Sequence, residues 1–248
     1  MIIDATGLHC FTNEYHYRFV DLNAALGKDG YCCVALCPTG NKLFFGLQRG
    51  KIVSFNMQEN QISNFTAVTP VGDAEVQLAG IWVDAKGFVF VSDRNGKAVS
   101  MFDREGVCFT RADIKYGEPG FIYAHVREGY QSFFLNTGTA VQKYNIARGD
   151  RYSKIYPQSQ YEIDKQSLEV QDFLPGSLSI HGRNLCITDH IQKANVLLVR
   201  QHDVRKGTWE KNLAVDAPYI RGVQICNENL MVVCTDDTVH LLERAVTK

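Results

Sequence analysis

Apolar residues recur along this chain in short runs, not at helical spacing. No long stretch sets them at i, i+3, i+4 and i+7 between caps, so little helix is expected. Single helical turns fit residues 20–26 and 166–173. β-Branched and aromatic runs instead alternate with Gly, Asn and Asp turns. One rhythm returns five times: CCVAL–LFFGL–KIVSFNM, AGIWVD–FVFVS–KAVSMFD, GFIYAHV–SFFLN–AVQKYNI, SLSI–LCIT–NVLLVRQ and RGVQIC–LMVVC–TVHLLER. Taking Val34, Trp82, Ile122, Leu178 and Val223 as equivalent gives spacings of 48, 40, 56 and 45 residues. The middle runs are continuously apolar, which predicts strands covered on both faces. The third runs alternate and are expected at the outer edge, while Trp82 is expected buried between repeats or against the channel wall.

A weaker strand precedes each hairpin: HYRFVDL, ISNFTAV, CFTRADI, YEIDKQ or LEVQDF, and WEKNLAV. Four antiparallel strands per repeat, at a period in the forties, predict a β-propeller. The expected fold is therefore all-β: four-stranded antiparallel blades, five in number with six as the alternative. One domain is expected across 1–248, with blade cores at about 31–57, 79–103, 119–146, 175–201 and 220–244. A β-sandwich would lack this three-run rhythm.

Residues 79–106 carry a more specific pattern. Gly80, Val83, Asp84, Gly87, Val91, Asp93, Asn95, Phe102 and Asp103 stand where an NHL-type propeller repeat has Gly, Val-Asp, a Gly turn, an apolar run, Asp, Asn and Phe-Asp. The stretch resembles that family, and the other repeats share only the hairpin rhythm. The resemblance implies a propeller. It also brings in the lactonase-type propellers that NHL repeats resemble, which hold a central metal with Asp, Asn and Glu.

Composition narrows the function classes. Twenty-six Lys and Arg against 27 Asp and Glu leave a net charge of -1, which argues against a strongly basic nucleic-acid binder. The longest apolar run, seven residues at 31–37, is far short of the ~20 a membrane helix needs. The first fifteen residues lack the pattern of a signal peptide. Eight cysteines stand mostly in apolar strands, with no CxxC pair or zinc-site spacing, so reduced thiols are expected. Together these predict an intracellular protein, cytoplasmic or nuclear.

Candidate chemistry is sparse. Asp93, Asp189 and Asp236–Asp237 follow apolar strands and would suit a carboxylate ring for a divalent metal. Asp at a hairpin turn more simply accepts bonds from nearby backbone N–H groups. Asp84 has no carboxylate counterpart in the other repeats, and capping its own turn is the expected role. The seven histidines are scattered, and no GxSxG, P-loop or GxGxxG motif occurs.

Residues 147–174 are the least repeat-like stretch, read as a surface insertion rich in Tyr and basic residues. Arg148, Arg151, Tyr152, Lys154, Tyr156 and Tyr161 are the partner-binding candidates, since Tyr and Arg are enriched at binding hot spots. The plain alternative is an ordered loop whose tyrosines cover a blade edge. Stacking on RNA is a further use of such residues, against which the neutral charge counts. First-turn loops near 38–42, 85–87 and 181–184 are the fallback binding face.

The reading is a non-enzymatic protein–protein interaction module, a subunit of a larger assembly. It expects no catalytic residue, metal ligand or cofactor, and a protein partner, not nucleic acid or membrane. The alternative is a metal-dependent lactonase-type hydrolase, the one reading with a small-molecule partner.

Overall fold

The computed structural model describes residues 2–3, 8–11, 16–21, 24, 26, 30–38, 40–115, 122–127, 130–137, 140–148, 153–162, 175–181, 184–189, 197–201, 210–212, 220–225, 230–235 and 238–243. Their strands form six antiparallel sheets, each made of consecutive strands. The first holds β1 (Ile2–Ile3), β2 (Leu8–Phe11) and β3 (His16–Val20). The second holds β4 (Tyr31–Leu36), β5 (Lys42–Leu47), β6 (Lys51–Asn56) and β7 (Gln61–Ala67). The third holds β8 (Leu78–Val83), β9 (Val89–Asp93), β10 (Ala98–Phe102) and β11 (Cys108–Asp113). The fourth holds β12 (Ile122–Arg127), β13 (Tyr130–Asn136), β14 (Ala140–Arg148) and β15 (Ser153–Glu162). The fifth holds β16 (Pro175–His181), β17 (Asn184–Asp189), β18 (Leu197–Gln201) and β19 (Glu210–Asn212), and the sixth β20 (Ile220–Ile225), β21 (Leu230–Thr235) and β22 (Val239–Glu243).

The leading strands β4, β8, β12, β16 and β20 lie beside one another in turn. Apolar side chains pack at four of the boundaries between sheets. Val20 packs with Leu43, Phe45 and Phe55 between the first two sheets. Ala35 and Phe44 meet Ile81, Val89 and Val91 at the next boundary. Phe90 and Met101 then meet Phe133 and Leu135. Cys186 packs among Val223, Ile225 and Val233 between the fifth and sixth sheets. At that boundary the Ser179 hydroxyl accepts the Ile225 N–H at 2.8 Å and the Ser177 hydroxyl accepts that of Val223 at 3.4 Å. Two serines of β16 thus satisfy backbone donors of β20 that its sheet leaves over.

Three sequence expectations change. The weak strands complete the preceding hairpins, not the following ones: ISNFTA is β7 and pairs with β6, and CFTRAD is β11 and pairs with β10. The third runs are consequently interior where a fourth strand exists, and β10 is buried along its whole length. The position equivalent to Val34, Ile122, Leu178 and Val223 is Ile81. Trp82 points to the opposite face, half-buried beside Phe90. Because strand side chains alternate, that single-residue slip exchanges one sheet boundary for the next. Corrected, the first two spacings are 47 and 41.

Of the two predicted helical turns, Ala24 and Leu26 are helical, with the Asp21 carboxylate accepting the Ala24 N–H at 3.0 Å as a cap. Residues 166–173 lie outside the described residues.

Candidate functional site

Two turns of the third sheet are built alike. In Asp84-Ala-Lys-Gly-Phe, Asp84 Oδ1 accepts the N–H of Lys86 at 2.8 Å and of Phe88 at 2.9 Å. In Asp103-Arg-Glu-Gly-Val, Asp103 Oδ1 accepts those of Glu105 at 3.0 Å and Val107 at 2.8 Å. Gly87 and Gly106 sit at φ 81° and 84°, where a side chain would be strained. The first and third turns of a sheet share one end. There the Arg104 guanidinium joins the two, Nε donating to the Lys86 carbonyl at 2.6 Å. The Asp84 oxygen facing this turn is occupied by backbone donors, the capping role expected from sequence. Replacing Asp84 by Ala removes two bonds to a buried carboxylate and is expected to cost about 1–3 kcal/mol. Denaturant titration checks this, and loss of under ~0.5 kcal/mol would contradict the capping role.

At the opposite end, Asp93 is buried. Its Oδ1 accepts the Gln77 N–H at 3.0 Å, and its Oδ2 faces Arg111 Nη2 at 4.0 Å. Arg111 Nη1 donates to the Thr69 carbonyl at 3.0 Å, and Asn95 Nδ2 to that of Glu75 at 2.9 Å. The crossover between β7 and β8 is therefore strapped at three points to the third sheet. Gly96 leaves the room: a Cβ there would strike the Asp93 carboxylate and Arg111. Asp93 thus bonds sixteen residues back, not within its own turn as the sequence suggested.

Asp189 lies opposite Pro175, and Asp236–Asp237 fall outside the described residues. Among the described residues no three His, Cys, Asp or Glu side chains converge as a metal would require. Cys32, Cys33, Cys37, Cys108, Cys186 and Cys234 are free thiols. Burial pushes the Cys33 and Cys186 thiols up to about 12, so neither is a nucleophile at neutral pH.

The described residues of the stretch read as an insertion, 147–148 and 153–162, lie in strands. β14 and β15 form a long hairpin in which Arg148 faces Ser153, Lys154 faces Ala147 and Tyr156 faces Asn145. Tyr161, opposite Val141, is 7% exposed and belongs to the packed interior, which removes it from the candidate surface. Arg151 and Tyr152 lie outside the described residues. The pairing of Gln131 with Ile146 sets the closing pair of β12–β13, Arg127 and Tyr130, beside the closing pair of β14–β15. Arg127 and Tyr130, at the first turn of the repeat rhythm, were not among the sequence candidates.

No family model and no curated protein sequence matches the chain. Solved structures do. The β-propeller domain of Myceliophteria thermophila Cps50 (Swd1) superposes with a TM-score of 0.58 at 9% identity, covering 87% of this chain and 84% of that one. Virginiamycin B lyase from Staphylococcus aureus superposes with a TM-score of 0.56 at 13% identity, covering 88% of this chain and 71% of that one. The chain folds as a β-propeller. Its leading strands are the inner strands of the blades, and in the four four-stranded sheets the first and third turns share one face. One of the two similar propellers is an enzyme by name, so the fold alone selects no activity.

Proposed function

We propose that this propeller is a non-enzymatic protein–protein interaction module, a single-domain intracellular subunit of a larger assembly. Its binding face would be the one carrying the first and third turns. The observation that carries the reading is the paired hairpins of the fourth sheet. They bring Arg127, Tyr130, Arg148 and Lys154 to one end of that sheet, with Tyr156 two residues further along β15. Arg and Tyr supply much of the energy at interfaces, the first by forked hydrogen bonds and the second by rigid area. The fallback loops at 38–42 and 85–87 occupy the equivalent ends of the second and third sheets, so both sequence candidates merge into one surface. The hydrolase alternative has less support: Asp84 and Asp93 each commit a carboxylate oxygen to backbone N–H groups.

Arg148→Glu combined with Lys154→Glu tests the proposal. Changes at a hairpin end alter stability by about 0.5 kcal/mol or less, so the variant should melt with the wild type. Loss of hot-spot contacts costs ~2 kcal/mol or more, so its co-purifying proteins should bind about 30-fold more weakly or vanish. A folded variant that keeps every partner would place recognition elsewhere.

A further inference from the structure

The strand order gives each four-stranded sheet two ends, and in the fourth and fifth sheets charge is divided between them. One end carries the first and third turns. Its connecting stretches, counted from the last residue of one strand to the first of the next, are 127–130, 148–153, 181–184 and 201–210. They hold six Lys or Arg against four Asp or Glu, and Lys154 stands one position further along β15. The other end carries the second turns and the crossovers, residues 136–140, 162–175, 189–197 and 212–220. These hold two Lys or Arg against six Asp or Glu. A chain of net charge -1 thus has two sheets whose ends differ in sign.

The register gathers the positive charges. Arg127 pairs with Tyr130, Arg148 with Ser153 and Lys154 with Ala147. Three cations and no carboxylate therefore stand on the last two rungs of the fourth sheet. The inner strand β16 lies beside β12 and ends at His181, at the same end. Adjacent strands are ~4.8 Å apart, so the group spans about 14 Å from β12 to β15. The negative end lies about 20 Å away along the seven residues of β13. That distance exceeds the ~8 Å screening length of physiological salt, so the two ends do not cancel. The bias is also confined. At the same end of the second sheet, 36–42 and 56–61 hold one Lys and one Glu, and in the third, 83–89 and 102–108 hold two basic and three acidic residues.

We infer that this positive end of the fourth and fifth sheets is a docking site for a short Asp- and Glu-rich segment of a partner polypeptide. The inference rests on the binding face proposed above and specifies the chemistry of its occupant. Like charges on neighbouring rungs repel one another in the free protein, and an anionic partner removes that cost. Carboxylates suit arginine in particular, since its planar fork gives two parallel bonds to one carboxylate. At ~3.3 Å per residue, about four extended residues cross the group, so a few carboxylates match its charges. Length separates this occupant from nucleic acid. A phosphate backbone carries charge on every unit, and continuing past the group it would meet Asp103 and Glu105 on the third sheet.

A fluorescein-labelled peptide of Glu-Glu-Tyr repeats, titrated with the purified full chain in low salt and read by polarisation, tests this. It should bind, and a peptide of Gln-Gln-Tyr repeats, alike in shape but uncharged, should bind about tenfold more weakly. Arg148→Glu combined with Lys154→Glu should weaken the acidic peptide by about tenfold or more and take up Lys-Lys-Tyr repeats instead. Lys51→Glu, a charge reversal on an exposed residue at the opposite end, should change nothing. Equal binding of the acidic and uncharged peptides, equal binding by wild type and double variant, or no binding of the acidic peptide up to about 1 mM overturns the inference. So does tighter binding of oligouridine, which would make the occupant RNA. Self-association in sedimentation that the double variant abolishes also overturns it, because the occupant would then be the acidic end of a second copy. If the acidic peptide fails while the double variant still loses its co-purifying proteins, the binding face stands and only its acidic occupant falls.

Discussion

Phe133→Ala is expected to lower stability by about 3–5 kcal/mol, the range for truncating a buried phenylalanine. Phe133 is fully buried on β13 and holds two elements at once. Its ring stacks on Tyr144 of β14 with centroids 4.9 Å apart and planes 8° apart. Across the boundary it meets Phe90 of β9 at 5.9 Å. Alanine leaves a void lined by two sheets that are each fixed by their own hydrogen bonds, so the site collapses poorly. For a chain of this size the loss corresponds to a melting temperature lower by roughly 6–20 °C. Phe133→Leu, which keeps most of the volume, should lose much less. Equal effects of the two substitutions would show that the ring is not packed as described.

Asp93→Ala should approach the same magnitude for a different reason. The substitution removes the acceptor of the Gln77 N–H and leaves the Arg111 guanidinium facing a cavity. Deleting one member of a buried ion pair costs about 3–5 kcal/mol, because the remaining charge stays desolvated. About a quarter of the Arg111 side chain reaches solvent, so a value near the lower end is expected. The companion change Arg111→Met should recover part of the loss in the double variant, since no unpaired cation is then buried. Chemical denaturation of the four proteins closes that cycle. Additive losses would show that Asp93 and Arg111 act independently.

Much of the architecture is legible in the sequence because its cause is local. Continuous apolar runs such as LFFGL and FVFVS have to be strands covered on both faces, and they are β5 and β9. The Asp84 and Asp103 turns are readable from Asp followed three residues later by Gly, a pattern with one good backbone solution. Ownership of a strand is not local. ISNFTA is amphipathic and lies between two hairpins, and nothing in its residues says which one it completes. The β15 strand hides for another reason. KIYPQSQYE mixes polar residues with Pro157, which the outermost strand tolerates beside the irregularity at Lys143 and Tyr144. Tyr161 looked like a surface hot spot because its neighbours are polar. Its burial depends on pairing with Val141, twenty residues away.

The strand order within each sheet also bears on how such a chain can lengthen. In the four complete sheets the strands run in chain order from the inner strand to the outer, and none is borrowed from a neighbouring repeat. A duplicated stretch of gene covering one inner strand through its fourth strand would therefore encode a whole hydrogen-bonded layer. Insertion between sheets would unpair nothing already there. The segments joining one layer to the next can then drift in length without disturbing any ladder, and the separation between equivalent inner-strand positions does vary, from 41 residues between Ile81 and Ile122 to 56 between Ile122 and Leu178.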